Sequence, residues 1–141
     1  NMSFWKKPAE SADYLSSVAF FEGFTSDELA RVASLSGELT VGSGAVVIDQ
    51  GDTGVDCYVI VEGTASVRVR DEEVAVLSAG DMVGEMALID HRPRTASVVA
   101  TSDMRLLRFN SRQFRQLLTE MPKAEERVMM TLTERLRTDD G

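Results

Sequence analysis

A glutamate and an arginine nine residues apart, Glu85 and Arg94, carry the clearest chemical signal in the sequence. They lie in the segment 84–98, which reads GEMALIDHRPRTASV. A glycine leading into a short helix-like run predicts an anion site, because glycine lets backbone approach a ligand and the first N–H groups of a helix have no internal partner. The arginine adds a planar fork of donors suited to phosphate oxygens, and Thr95 adds a hydroxyl. We therefore predict that this segment binds a phosphate.

Glu85 needs a different partner, because a carboxylate repels a phosphate. It suits a ligand group that donates hydrogen bonds, such as a sugar hydroxyl. A phosphate site and a hydroxyl acceptor in one short loop together indicate a compact phosphorylated sugar.

Residues that commonly perform catalysis are scarce. The chain has one cysteine, Cys57, and one histidine, His91. Cys57 begins the apolar run CYVIV, so we interpret it as a buried strand thiol, and we place His91 in an exposed loop. A metal-dependent enzyme on a double-sheet roll usually needs several histidines, so we disfavour that alternative. We predict no catalytic residue, no metal site and no cofactor.

Charge and hydropathy disfavour further classes of protein. The 141 residues have a net charge of −8, which argues against a nucleic-acid surface. Residues 1–63 carry three basic residues against ten acidic ones, whereas residues 91–118 carry six arginines against one aspartate. The basic segment is either a set of solvated arginines or a region that attracts a small anion.

The sequence also bears on localisation. No apolar run reaches the roughly 18 residues of a membrane span, and no secretory signal is evident. The single cysteine suits a cytoplasmic protein.

The predicted order of elements is helices, then strands, then helices. Residues 1–12 form a tail, and a first helix spans residues 13–22. A capping box of Thr25 and Glu28 begins a second helix. After the strands, apolar residues return at helical spacing over about residues 111–137, where Pro122 can begin the last helix.

The middle of the chain consists of short segments rich in β-branched residues and separated by Gly and Asp turns. Such strands at regular spacing predict an antiparallel sandwich or barrel over about residues 38–110, within a domain spanning 13–141. The predicted strands are 38–41, 45–49, 57–62, 65–70, 74–78, 96–101 and 104–109.

The segment 84–98 closely resembles the phosphate-binding cassette of cyclic nucleotide-binding domains, the family of kinase regulatory subunits, nucleotide-gated channels and bacterial catabolite-activator regulators. The matching residues are 84–88 and 93–98, and residues 50–52 with 57–63 resemble the family's glycine-marked strand pair. The resemblance covers roughly residues 15–137. It implies a mainly β fold, the double-stranded β-helix or jelly roll, with N-terminal helices and C-terminal lid helices.

The resemblance also implies the ligand, a cyclic nucleotide, with cAMP favoured over cGMP. Arg94 is implied to pair with the exocyclic phosphate oxygens and Glu85 to accept from the ribose 2′-hydroxyl. Backbone N–H groups of the segment are implied to hold the phosphate and sugar. A hydroxyl residue at the position of Thr95 occurs with either base and does not settle which base is bound. The implied ligand-binding residues are Gly84, Glu85, Met86, Ala87, Arg94 and Thr95.

In this family the final helix is a lid over the base, which gives candidate base contacts outside the cassette. We name Val74, Arg127 and Met130 for this role. Apolar residues that recur every four positions, such as Val128 and Leu132, favour instead a helix packed on the core or on a second copy.

We expect a non-catalytic sensor whose C-terminal helices move when the nucleotide binds. The expected partner is an unidentified effector protein or a second copy, and neither nucleic acid nor a membrane. Because the chain ends soon after the last helix, we expect a stand-alone sensor without an effector domain. Two alternatives stay open: a degenerate domain that serves as a protein interaction module, and the sensor fragment of a larger transcription factor.

Overall fold

The computed structural model describes residues 2–3, 12–85 and 93–140, with side chains for 12–85 and 93–134, and the middle of the described chain consists of short β-strands. Predicted and observed strands agree to within two residues at each end, and the structure has two further strands of two residues each, Met2–Ser3 and Met82–Val83, which are too short to show an alternating pattern. The strands are β1 (Met2–Ser3), β2 (Gly37–Val41), β3 (Val46–Ile48), β4 (Cys57–Glu62), β5 (Thr64–Val69), β6 (Glu72–Ser78), β7 (Met82–Val83), β8 (Ser97–Ala100) and β9 (Met104–Phe109).

The described strands form two antiparallel sheets. One has the order β1-β2-β9-β4-β7 and the other the order β3-β8-β5-β6. Strands distant in sequence are neighbours, since β2 pairs with β9 and β3 with β8. This arrangement confirms the mainly β jelly-roll class, and it places β1, from the predicted tail, along β2.

Within the larger sheet, β4 is buried on both faces, which explains its unbroken apolar run. Tyr58 and Ile60 pack in a cluster shared with the smaller sheet. Cys57 and Val59, pointing the other way, pack in a second cluster with the helices. A strand buried on both faces has no polar side to alternate with, so β4 reads as continuously apolar.

The single N-terminal helix predicted over residues 13–22 is wrong. The chain forms two short 3₁₀ helices instead, Asp13–Ser17 and Ala19–Phe21, joined at an extended residue. Buried apolar side chains recur here at every third position, and a 3₁₀ helix has three residues per turn, so it places them all on one face. These side chains belong to Leu15, Val18, Phe21 and Phe24.

The α-helices in the described ranges are α1 (Ser26–Leu35), α2 (Ser111–Glu120) and α3 (Pro122–Asp140). The predicted capping box at α1 is confirmed, because Thr25 and Glu28 each accept from the other's backbone N–H, at 3.1 and 2.8 Å. A second capping box begins α2, and sequence analysis missed it. None of the helices in these ranges is both long and apolar enough to cross a bilayer.

Candidate functional site

Glu85 comes two residues after β7, an edge strand of the larger sheet, and is buried. Tyr58 of β4 pairs with Val83 of β7, so the chain leaves the sheet one residue before Glu85. Only 7% of Glu85 is exposed. Gly84, between strand and glutamate, has a φ of +89°, a conformation that other residues adopt only with strain.

Arg94 lies against the backbone of the same segment. Its Nη1 donates to the carbonyl oxygen of Gly84 at 3.2 Å, and its Nη2 donates to the carbonyl oxygen of Asp56. A guanidinium has five N–H donors, so within the described residues three remain for the oxygens of an anion. The structure therefore brings together the predicted glycine, glutamate and arginine.

The loop between β3 and β4 holds the main chain of Arg94 in place. The N–H of Gly51 donates to the carbonyl of Arg94, and the N–H of Arg94 donates to the carbonyl of Asp52, both at 2.8 Å. One residue earlier, the N–H of Gln50 donates to the hydroxyl of Ser97 at 2.8 Å. The arginine is thus fixed at its backbone as well as at its guanidinium group.

Cys57 lies within electrostatic range of the charges of this site. Burial raises the pKa of its thiol well above the usual range, the charge of Glu85 raises it further, and the charge of Arg94 opposes the rise. The negative charge of Asp56 also raises this pKa. Cys57 is fully buried and begins β4, which confirms its interpretation as a buried strand thiol.

A cavity of about 320 Å³ connects Glu85 to helix α3. On the helix it is lined by residues at helical spacing: Arg127, Met130, Thr131 and Glu134. The volume falls within the range of small-molecule sites. A second cavity, of about 420 Å³, lies beside β2 and β9 and contains none of the predicted site residues.

Two basic side chains attach α3 to the N-terminal part of the domain. Arg127 donates to the carbonyl oxygens of Ala19 and Phe20 at 3.2 and 3.0 Å, and to that of Glu22 at 2.6 Å. Lys123 donates to the carboxylate of Glu28 on α1 at 2.9 Å, and this hydrogen bond lowers the pKa of the carboxyl group.

Comparison with known proteins leads to the same family as the sequence motif. A family model described as the cyclic nucleotide-binding domain matches residues 38–121. The chain belongs to the cyclic nucleotide-binding domain family. Domains of this family serve in the regulatory subunits that match this chain, which agrees with the prediction of a non-catalytic domain.

Individual relatives of this cyclic nucleotide-binding domain are regulators. A cAMP-dependent protein kinase regulatory subunit from Hypocrea atroviridis is 31% identical over 106 residues, which are 75% of this chain and 23% of that protein. The catabolite activator protein of Thermus thermophilus superposes with a TM-score of 0.79 at 28% identity, covering 86% of this chain and 59% of that one. The regulatory domain of Toxoplasma gondii PKA, solved with cAMP, has a TM-score of 0.73 at 26% identity, covering 87% and 48%.

This chain spans about a quarter to a third of the length of the curated relatives it matches. The comparisons therefore concern the nucleotide-binding part of longer proteins.

The predicted site residues of the cyclic nucleotide-binding domain divide into three groups. Gly84, Glu85 and Arg94 lie together, with Thr95 beside them in an exposed position. Two of the three candidate base contacts, Arg127 and Met130, line the cavity that contains Glu85, whereas Val74 is 59% exposed on β6 and does not line it. Met86 and Ala87 lie outside the described residues.

Sequence reasoning missed the parts of the site that act through the main chain. The carbonyl oxygens of Asp52 and Asp56 hold Arg94, but a backbone acceptor leaves no signature in the residue type. Glu134 was missed for another reason, because only the packing of α3 against the 3₁₀ helices brings it to the cavity.

Proposed function

We propose that this domain binds a cyclic nucleotide as a non-catalytic sensor, favours cAMP over cGMP, and reports occupancy through its C-terminal helices. The observation that carries the proposal is the convergence of Glu85 and Arg94, in a family whose members include a regulatory domain solved with cAMP.

Arg94 binds the cyclic phosphate in this proposal. Its backbone and two of its N–H groups are fixed by the protein, so little side-chain freedom is lost when an anion binds the remaining donors. A guanidinium presents paired donors that match two phosphate oxygens.

Glu85 binds the ribose 2′-hydroxyl. Its burial removes competition from water, which strengthens a hydrogen bond from the sugar. A carboxylate accepts but does not donate, so it selects a ligand that carries a hydroxyl at this place.

The base lies toward α3, where the cavity beside Glu85 ends at Met130 and Thr131. A ligand shifts a conformational equilibrium only by its difference in affinity for the two states. A nucleotide that contacts both Glu85 and α3 binds more tightly when the helix lies over the cavity, so binding and helix position are coupled. The readout is contact of these helices with an effector protein or a second copy.

Calorimetric titration of the full chain with cAMP and with cGMP tests the function. We expect binding of both nucleotides, with the lower Kd for cAMP. Removing one partner of a buried charged pair costs about 2–5 kcal/mol. The substitution Arg94→Ala should therefore raise the Kd for cAMP by about 30-fold to several thousand-fold. The substitution Glu85→Gln should have a smaller effect, because an amide oxygen still accepts from a hydroxyl.

The matched control is Arg112→Ala, which removes the same charge from an exposed position on α2. It should leave the Kd unchanged. If the wild-type chain binds neither nucleotide, the proposed function is wrong, and the alternative of a degenerate domain that acts as an interaction module is favoured. If Arg94→Ala and Arg112→Ala bind equally well, the phosphate site has been assigned to the wrong residues.

A further inference from the structure

Arg127 is one of the candidate base contacts, but its guanidinium binds the protein itself. Both terminal nitrogens donate to backbone carbonyls, Nη1 to those of Ala19 and Phe20 and Nη2 to that of Glu22. These carbonyls lie along and just after the short 3₁₀ helix Ala19–Phe21, where the last turn leaves acceptors without partners inside the helix. The three hydrogen bonds, called here the Arg127 contact, are formed while the cavity beside Glu85 is open.

The face of α3 that carries Arg127 also forms a wall of this cavity. Met130, Thr131 and Glu134 line the cavity together with Arg127. They follow it by three, four and seven residues, the spacing that places side chains on one face of an α-helix. Hydrogen bonds that fix Arg127 therefore also fix the rotation of α3 about its axis, and with it the side chains at the cavity.

The segment that accepts these hydrogen bonds is itself part of the cavity wall. Ala19 and Phe20 line the cavity, and Phe20 packs against the core cluster of the helices and the larger sheet. Arg127 thus joins two walls of one cavity. Neither wall moves away from the other without breaking the Arg127 contact.

Such a contact changes ligand affinity without touching the ligand. When a ligand binds only one arrangement of a protein, its apparent Kd rises as that arrangement becomes less populated. In the proposed function, the competent arrangement is the one in which α3 lies at the cavity. The Arg127 contact stabilises this arrangement before the nucleotide arrives, so binding does not have to order the helix.

We propose that Arg127 is a positioning residue, which sets nucleotide affinity by holding α3 at the cavity and makes no contact with the base. This role rests on the proposed function and deepens it, because it assigns the position of α3 to one side chain. A contact that acts through the helix affects the affinities for cAMP and cGMP by the same factor, whereas a contact with the base distinguishes the two nucleotides.

Two substitutions separate the hydrogen bonds of Arg127 from its charge. Arg127→Met keeps an unbranched side chain that can still line the cavity, but it has no donor. Arg127→Lys keeps the charge, but its compact ammonium does not reproduce the planar fork of a guanidinium. Calorimetry should show the Kd for cAMP raised about 5- to 50-fold in Arg127→Met, the effect of losing one or two hydrogen bonds of a charged group, and raised less in Arg127→Lys. The Kd for cGMP should rise by the same factor as that for cAMP in each variant.

Amide exchange without nucleotide gives a readout that does not depend on the ligand. In Arg127→Met, exchange should be faster across residues 19–24 and 122–134, because the contact between these segments is lost. Exchange in strands β4 and β9 should stay as in the wild type. A residue needed only for global stability would instead speed exchange in the strands as well, and that result would overturn the positioning role.

The matched control is Arg112→Met, the same change at an exposed position on α2. It should leave both Kd values and the exchange rates as in the wild type. Should Arg127→Met fail to fold, Arg127→Lys carries the test.

Two further results would overturn the positioning role and leave the proposed function standing. One is a change in affinity by different factors for cAMP and cGMP, which would assign Arg127 to the base. The other is an unchanged or lowered Kd for cAMP in the folded Arg127 variants. A wild-type chain that binds neither nucleotide overturns both the positioning role and the proposed function.

Discussion

At the scale of the residue, Gly84 permits the close approach of Arg94. A Cβ at this position would lie 2.8 Å from Nη1 of Arg94 and 2.9 Å from the carbonyl oxygen of Asp56. Both distances are shorter than van der Waals contact. The positive φ adds a second reason for glycine, since a side chain is strained in that conformation.

The substitution Gly84→Ala should therefore weaken both the fold and the site. We expect a loss of about 1–3 kcal/mol from backbone strain, and a further loss from displacement of the guanidinium. Urea denaturation measures the free energy of unfolding, and calorimetry measures the accompanying weakening of cAMP binding.

Gly44 provides the control for this prediction. It has a similar φ of +91°, but nothing lies within 4 Å of its added Cβ. Gly44→Ala should show the strain alone and bind cAMP as the wild type does. Equal losses of stability and equal affinities in the two variants would contradict the role assigned to close packing at Gly84.

At the scale of the element, ion pairs between helices fix the C-terminal segment on the domain. Arg31 of α1 donates to both carboxylate oxygens of Glu120 on α2, at 2.7 and 2.8 Å. This hydrogen bonding, helped by Gln116, lowers the pKa of Glu120 to about 2. The pair ties α2 to α1 much as Lys123 ties α3 to α1.

The pH dependence of this pair follows from the sign of the shift. A carboxyl whose pKa is lower in the folded than in the unfolded state stabilises the fold above its unfolded pKa, near 4.5, and loses that contribution as pH falls toward about 2. The substitution Glu120→Gln should therefore destabilise the protein at pH 7, and the difference from the wild type should shrink between pH 4.5 and pH 3. Urea denaturation over this pH series tests it.

The control for the pH series is Glu126→Gln, at an exposed position on α3. Its difference from the wild type should stay nearly constant over the same range. A constant difference for Glu120→Gln would show that its pair with Arg31 does not form in solution.

At the scale of the whole molecule, the candidate site is formed partly by the β-roll and partly by helix α3. Glu85 and Arg94 depend on the β-roll, whereas the far wall of the cavity belongs to α3. The helix is also joined to the 3₁₀ segment through Arg127. A ligand that fills the cavity therefore contacts both layers, and its binding free energy adds to the stability of their packing.

Saturating cAMP should therefore slow backbone amide exchange across residues 111–137. Exchange measured by mass spectrometry with and without the nucleotide tests this coupling. The Arg94→Ala variant at the same nucleotide concentration should show little protection. Unchanged exchange in a wild-type chain shown to be saturated would rule out the C-terminal helices as the readout.

Much of the fold was readable from local pattern. Strands β4 and β9 were predicted with their observed ends, because each is an apolar-rich segment with polar or glycine residues directly before and after it. The capping box at Thr25 could also be predicted, because it depends only on two residues three positions apart, Thr25 and Glu28. The N-terminal helix was predicted wrongly, since apolar spacings of three and four are hard to distinguish in a short segment whose conformation tertiary burial decides.

The sequence by itself determined the chemistry of this protein: a glutamate and an arginine at a fixed spacing after a glycine, in an antiparallel β domain that resembles cyclic nucleotide-binding domains. These follow from residue type and local order. Only the tertiary structure decided which groups surround that pair. The carbonyls of Gly84 and Asp56, and the α3 wall of the cavity, come from segments far apart in sequence or from the backbone, which every residue shares. Their roles depend on packing, so no local pattern could have revealed them.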